Sequence, residues 1–411
     1  MRRQTPPPTR RPNVSGNGSR PIIWRPAGFA NRPKLRAVLR RALPPLLICL
    51  LAFGAFQWKI HQKMVDFGVY RTAAVRALNA EPLYRDSDGH YQFKYLPVFA
   101  MTTIPFGMMD EDTAKMVWFA VSVGALVLLL RWSAHVVPAR RRGLPVLIGL
   151  TFLFLGKFFI HELLLGQVNL VFGLLIVAAI GALQSELPAV AGALFGAAVC
   201  VKPYGVLFAP WVLVSEDRRA TLTFAIAGMI AILAPAALYG FGGNAALLRD
   251  WWQTVTSTTA PNLLDADNIS FAAMWAKWLG PGRGASVLAT LTGLASLGLV
   301  VEAWRRRADV DEPDCLETAA LLLLIPLLSP QGWDYVLLLA TPAVMLLLDR
   351  LPELVRGWRI AIWASFAIMG LTIFDLLGKR LYAEFMNLSI VTLCALGLLA
   401  ALAHLRRAKL A

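Results

Sequence analysis

Tyr95-Leu-Pro-Val-Phe-Ala-Met-Thr-Thr-Ile-Pro-Phe-Gly-Met-Met109 decides how this chain is threaded. A helix needs about 20 apolar residues to cross a hydrocarbon core about 30 Å thick. Here there are about fifteen, broken by Pro97 and Pro105, which suits an interfacial or re-entrant helix better than a span. The side on which every later loop emerges depends on that reading.

Outward from this stretch the chain is dominated by apolar runs. Of its 411 residues, 57% are hydrophobic and 16% charged, more apolar surface than a soluble domain of this length can hide. The fold class expected is an all-α polytopic membrane protein. A first span runs from about Leu43 to Ile60, and others fall near 114–131, 144–160, 168–184, 188–202, 203–215, 220–240, 285–304, 318–332, 333–348, 360–376 and 387–404. That makes about twelve helices, with two short ones meeting at Lys202-Pro203.

Charge orients them. If 95–109 does not cross, the clusters at Arg131/Arg140/Arg141/Arg142, Arg218/Arg219, Arg305/Arg306/Arg307, Arg350/Arg356/Arg359 and Arg406/Arg407/Lys409 all face the side of the amino-terminal tail. With the tail they hold well over half of the 40 basic residues, the bias that marks the cytoplasmic side. If 95–109 crosses, the later clusters flip outward. Both termini are therefore expected inside. The loops 61–113 and 241–284, the turns at 161–169 and 329–334, the tip at Lys202 and the loop 375–387 are expected outside.

Residues 1–42 read as a basic, disordered cytoplasmic tail, rich in Pro, Gly, Asn and Arg, with no acidic residue before Asp66. The tail lacks the interleaved aromatic platform of a nucleic-acid binder, so the +15 formal charge points to topology and anionic lipid rather than nucleic acid. It is no signal peptide, since its apolar core starts late and is long. Residues 43–405 form the membrane domain and 406–411 a cytoplasmic carboxyl-terminal tail. Cys49, Cys200, Cys315 and Cys394 are scattered and suggest neither a disulfide framework nor a metal site.

The residues with chemistry to offer gather on the outer side. Read as a helix, Asp66, Tyr70, Ala73 and Ala77 share one face. A carboxylate there suits a general base, and it equally suits a helix N-cap. Lys157, Glu162, Lys202 and Asp334 sit in or beside apolar runs, where an unpaired charge is expensive. Lys202 at its hairpin tip reads either as a phosphate holder or as a snorkelling lysine. The turns Gly166-Gln167-Val168-Asn169, Asp265-Ala-Asp-Asn268-Ile-Ser270 and Ser329-Pro-Gln-Gly-Trp333-Asp334 carry amides, an indole and carboxylates suited to sugar hydroxyls, and also ordinary turn residues. The pairs Asp86/Asp88 and Asp265/Asp267 read as solvated loop acids; no metal or other cofactor is expected.

These pieces resemble, in order, the motifs of glycosyltransferase family 87. They are Asp66-Phe67-x-Val69-Tyr70-x-x-Ala73-Ala74, Tyr95-x-Pro97, Gly166-Gln167-x-Asn169, Lys202-Pro203, Asn268-x-Ser270 and Ser329-Pro330-x-x-Trp333-Asp334. The family is one of GT-C-fold, polyprenyl-phosphate-sugar-dependent membrane enzymes that includes mannosyltransferases of phosphatidylinositol mannoside synthesis. The resemblance implies Asp66 as catalytic carboxylate, a lipid-linked sugar phosphate donor and an inverting transfer. Two positions depart from the pattern. Leu96 stands where a proline is usual, and Tyr335 where a histidine commonly follows the acid. The role of that histidine does not carry over, which leaves the donor phosphate to Lys202, Arg249 or Arg380.

The expectation is thus a bacterial cell-envelope hexosyltransferase with its site on the outer face of the cytoplasmic membrane. Asp66 is the base, and mannose moves from a polyprenyl-phosphate donor to a lipid or glycan acceptor. Tyr70, Gln167, Asn169, Lys202, Asn268, Trp333 and Asp334 are the candidate substrate contacts. Arabinofuranosyl transfer and a non-enzymatic transporter or lipid-sugar flippase are the alternatives.

Overall fold

The computed structural model describes residue 47, residues 50–215 and residues 217–410. The expected tail at 1–42 and most of the start of the first expected span lie outside the described residues. Two compact units divide the chain, 1–53 and 54–411. In the first, residues 50–53 are helical; the second holds all that follows.

Among the described residues the fold is helical throughout, with one isolated bridge between Asn268 and Trp333. Five helices are long and apolar enough to cross a membrane: Glu111–His135, Leu144–Leu165, Arg283–Arg305, Asp334–Glu353 and Ile390–Arg407. Two bent pairs, Arg218–Leu233 with Ala236–Ser257 (79°) and Arg356–Leu371 with Phe374–Asn387 (104°), raise the number to seven. The expected twelve also counted shorter apolar runs. Asn169–Gln184 and Pro188–Val201 have 16 and 14 residues, which at about 1.5 Å per residue fall short of the core thickness. These helices lean on their neighbours instead. Pro188–Val201 packs so closely on Arg218–Leu233 that a Cβ at Gly192 would lie 2.0 Å from the Ala220 carbonyl oxygen.

Burial separates inner from outer helices. Asp314–Leu328 and Thr341–Arg350 are apolar nearly all round and buried nearly all round, as central helices must be. Arg283–Arg305 is mostly uncovered, and Leu291 and Leu294 project from it, as Leu222, Met229 and Ile230 do from Arg218–Leu233. In water such rows are a liability; against lipid tails they are at home. The chain is a multi-pass membrane protein.

The stretch 95–109 forms two short helices, Pro97–Thr102 and Ile104–Gly107, each opened by a proline in its first turn. Neither is long enough to span. Both pack against the helix Val65–Leu78. At Gly107 the backbones approach so closely that a Cβ would lie 3.1 Å from Ala74 Cβ. The expected loops 241–284 and 375–387 are also largely helical, in Ala236–Ser257, Phe271–Leu279 and Phe374–Asn387. The expected tail at 406–411 begins inside a helix: Arg406 is fully buried, 3.2 Å from the Glu317 carboxylate, which also accepts from Trp211 Nε1 at 2.7 Å.

Candidate active site

The site is built on a glycine. The helix Leu144–Leu165 ends at Gly166 with φ +68°, a left-handed cap that glycine adopts without strain. Gln167 N–H closes back on Glu162 O at 3.1 Å, and Trp118 Nε1 donates to Gly166 O at 2.8 Å. A Cβ at 166 would come within 2.8 Å of Phe67 Cβ, so the helix Val65–Leu78 sits directly on this turn. Met64 N–H donates to Leu164 O at 2.9 Å and fixes where that helix starts.

Asp66 is the second residue of Val65–Leu78. The N-cap position belongs to Met64, which has no side-chain capping bond, so Asp66 is not spent on capping. Its Oδ2 accepts from Gln167 Nε2 at 2.9 Å. On the other side of the amide, Gln167 Oε1 accepts from Tyr70 OH at 2.7 Å and from Tyr95 OH at 3.0 Å, and the two hydroxyls lie 2.7 Å apart. Two hydroxyl hydrogens therefore serve three short contacts. The amide has one sensible orientation here, NH2 to the carboxylate and oxygen to the hydroxyls. Gln167 Nε2 also reaches Tyr335 OH at 3.4 Å.

Burial raises the Asp66 carboxyl above the usual aspartate range; the Gln167 hydrogen bond and the charges of Lys202, His161 and His90 pull it back. A carboxylate so placed is a stronger base than a solvated one. Burial also lifts Tyr70 and Tyr95 well above ordinary tyrosine, so both stay neutral donors.

Asp66 faces a cavity of about 720 Å³ that Tyr70, Gln167, Lys202 and Trp333 also line. Five of the eight candidates are thus brought together. Lys202 ends the helix Pro188–Val201 in extended conformation, its ammonium 5.4 Å from the ring centre of Tyr95 and 5.5 Å from that of Tyr204. Its strongest charged neighbour is the fully buried Glu162. The cavity's other aspartate, Asp267, accepts from Tyr382 OH at 2.7 Å.

Three candidates are behind the wall. Asn169 is fully buried and donates to Glu162 Oε2 at 2.8 Å. Asn268 joins two turns, donating to Asn262 O (3.1 Å) and Pro330 O (2.8 Å) while its oxygen accepts from Ser270 N–H (3.1 Å). Asp334 is buried with Lys157 at 3.6 Å and His161 at 3.9 Å. These residues shape the cavity rather than line it. Among the acid pairs, Asp88 takes a two-pronged bond from Arg76 at 2.6 and 2.8 Å.

Among the lining residues that sequence reasoning passed over are Lys94, Tyr95, His161 and Tyr335. Tyr95 was noticed as part of a motif, Tyr335 as a departure from one. Lys94 precedes Tyr95 in a stretch that looked like an ordinary loop. Its ammonium donates to Gln331 Oε1 at 3.2 Å, and Gln331 Nε2 is held by the hydroxyls of Thr258 (3.4 Å) and Thr259 (3.3 Å). Burial lowers its pKa, opposed by the charge of Asp66. Among the described residues Lys94 has no carboxylate at ion-pair distance.

A family model described as Glycosyltransferase family 87 matches residues 93–330, more than half of the 411 residues. Lys94, Tyr95, Gln167 and Lys202 fall within the match, Asp66 before it, and Trp333 and Asp334 just after it. No curated protein and no solved structure matches the chain. With an apolar helical body and a cavity that holds Asp66, Lys94 and Lys202, the chain belongs to glycosyltransferase family 87, a family of membrane glycosyltransferases.

Proposed function

We propose that the chain moves a hexose, mannose by family habit, from a polyprenyl-phosphate sugar to a lipid or glycan acceptor at the outer face of a bacterial cytoplasmic membrane. The observation that carries this reading is one half-buried carboxylate, Asp66, sharing a cavity with two lysines, Lys94 and Lys202. Asp66 takes the proton of an acceptor hydroxyl. The hydroxyl oxygen attacks the anomeric carbon from the side opposite the phosphate, the bond from that carbon to the phosphate oxygen breaks, and the configuration inverts. The electron pair leaves on the lipid phosphate, whose growing charge the lysines neutralise in a poorly hydrated site. No step calls on a metal. Gln167 is read here as the positioning residue for Asp66, and Trp333 as the surface for a sugar face.

The twelve-helix GT-C arrangement belongs to the same reading, with the shorter helices at Asn169–Gln184, Pro188–Val201, Pro203–Val214 and Asp314–Leu328 and the first expected span added to the seven. Arabinofuranose fits the same chemistry. The test is transfer from labelled polyprenyl-phosphate mannose and polyprenyl-phosphate arabinose by purified protein. Wild type is expected to make a glycosidic product and Asp66→Asn to lose it while keeping its melting temperature. Undiminished turnover by Asp66→Asn removes Asp66 as base; movement of the lipid sugar across vesicles without product replaces transfer by transport.

A further inference from the structure

A second hollow of about 450 Å³ lies against the Val65–Leu78 helix, and it shares Val65, Val69 and Tyr91 with the wall of the Asp66 cavity. The two spaces therefore adjoin across three side chains. Arg71, Arg76 and Lys115 line the hollow, against Asp88 and Glu111. Two of these cations are neutralised in place, Arg76 by Asp88 at 2.6 Å and Lys115 by Glu111 at 2.5 Å.

Arg71 is different. It makes a single hydrogen bond, from Nη2 to the Met109 carbonyl at 2.8 Å, and its Nε is buried without a partner. Among the described residues it has no ion pair within 4 Å. A guanidinium carries five donors and keeps its charge at any physiological pH. One partly buried, with most of its donors idle and a hollow in front of it, is set up for a two-pronged anion. Glu111 and Lys115 stand in the first turns of the candidate span Glu111–His135, so the hollow lies at the depth of lipid head groups.

We infer that this hollow binds the phosphate of a lipid head group, with Arg71 as its charged contact, and that the bound lipid is the acceptor. Resting on the transferase reading above, the inference has the acceptor's hydroxyl-bearing part cross Val65 and Val69 to Asp66 while its phosphate stays at Arg71. The donor phosphate, on the far side of the Asp66 cavity at Lys94 and Lys202, is a separate anion. Thr72, Tyr91 and Phe93, on the hollow's rim, offer a hydroxyl and two ring faces to the rest of the head group.

The experiment is hydrogen exchange of the full-length protein in phosphatidylcholine vesicles, with and without phosphatidylglycerol, and with glycerol 1-phosphate as the soluble anion. Phosphatidylglycerol is expected to slow exchange in 65–78 and 109–115, and Arg71→Gln to weaken that binding about ten- to hundredfold, as for one lost charge-assisted contact. Arg71→Lys should restore part of it, and Arg356→Gln, a change at an exposed side chain, should leave it intact. Slowing by the vesicles alone assigns a lipid-borne phosphate; slowing by glycerol 1-phosphate as well shows that the anion alone suffices. Exchange that ignores both anions, or slowing that survives Arg71→Gln unchanged, overturns the site. Binding of polyprenyl phosphate, measured in the same preparations, should be equal in wild type and Arg71→Gln. Its absence from wild type counts against the transferase reading and leaves the anion site standing.

Discussion

Gln167 Nε2 stands 2.9 Å from Asp66 Oδ2, and the same amide's oxygen accepts from Tyr70 2.7 Å away. One neutral side chain thus fixes the rotamer of the acid and stabilises its charged form. Burial acts against that charge, so the carboxyl sits above ordinary aspartate. For activity, a base with a raised pKa works only above that pKa, and the acid limb of kcat/KM should lie above the usual aspartate value. Removing the hydrogen bond in Gln167→Leu, or the nearby charge in Lys202→Gln, deletes an influence that lowers the pKa. Both limbs should move to higher pH. For stability the sign is opposite to that of a salt-bridged acid. An aspartate raised in the folded state contributes most below its unfolded pKa, and that contribution is lost as pH rises through the folded value. A pH–rate profile of the two variants checks the first claim; a limb that stays put in both would detach it from Asp66.

The sequence offered the donor phosphate to Lys202, Arg249 or Arg380; of these only Lys202 lines the Asp66 cavity, and the proposed function gives Lys94 a share of the task. Lys202 has Glu162 as its strongest charged neighbour, whereas Lys94 has a neutral amide, Gln331, at 3.2 Å. A phosphate arriving in the cavity gains more from the cation without a carboxylate. Lys94→Gln should therefore raise the inhibition constant of polyprenyl phosphate, the proposed leaving product, by about ten- to hundredfold. Lys115→Gln, at the second hollow, should leave it near wild type. Equal inhibition of Lys94→Gln and wild type would return the phosphate to Lys202.

Much of this architecture can be read from the residues alone, and the limits have physical causes. Pro97 and Pro105 on a run too short to span indicated a non-crossing segment, because proline spacing and length act locally. The break at Lys202-Pro203 was legible for the same reason. The meeting of Asp66 with Gln167 follows from residues a hundred positions apart, and only the order of motifs hinted at it. Asn169, Asn268 and Asp334 share with true lining residues the same turn chemistry; which side of a turn an amide points to depends on packing that no local pattern records. Lys94 was missed because its meaning comes from what is absent beside it, a carboxylate. Five to seven of the twelve expected spans are long and apolar enough to cross by themselves; the shorter runs stay open because apolar composition marks burial against protein as well as against lipid.

Gly166 gives a test of the foundation. Its φ of +68° and the 2.8 Å approach of Phe67 Cβ leave no room for a side chain. Gly166→Ala should cost about 1–3 kcal/mol, from left-handed backbone strain and the overpacked contact with Phe67. The detergent-solubilised protein should melt several degrees lower, with activity falling further than stability because Gln167 follows the displaced turn. Gly149→Ala is the control on the same helix, since a Cβ there meets nothing within 4 Å.

Asp334 and Lys157 supply the last prediction. They lie 3.6 Å apart, both largely buried, with Lys157 Nζ also donating to Thr372 O at 2.5 Å and His161 3.9 Å from the other Asp334 oxygen. Removing one member of such a pair strands the other charge in an apolar surround, at a cost of about 3–5 kcal/mol. Replacing both leaves no stranded charge and is often nearly neutral. Lys157→Met and Asp334→Leu should each lower the melting temperature sharply, and the double variant should recover most of the loss. His161 lines the cavity with an edge-on contact to Tyr335 at 5.0 Å, so the double variant is also expected to regain stability without full activity. Additive destabilisation in the double-mutant cycle would mean the two charges do not interact, and Asp334 would then be open to reassignment as a substrate contact.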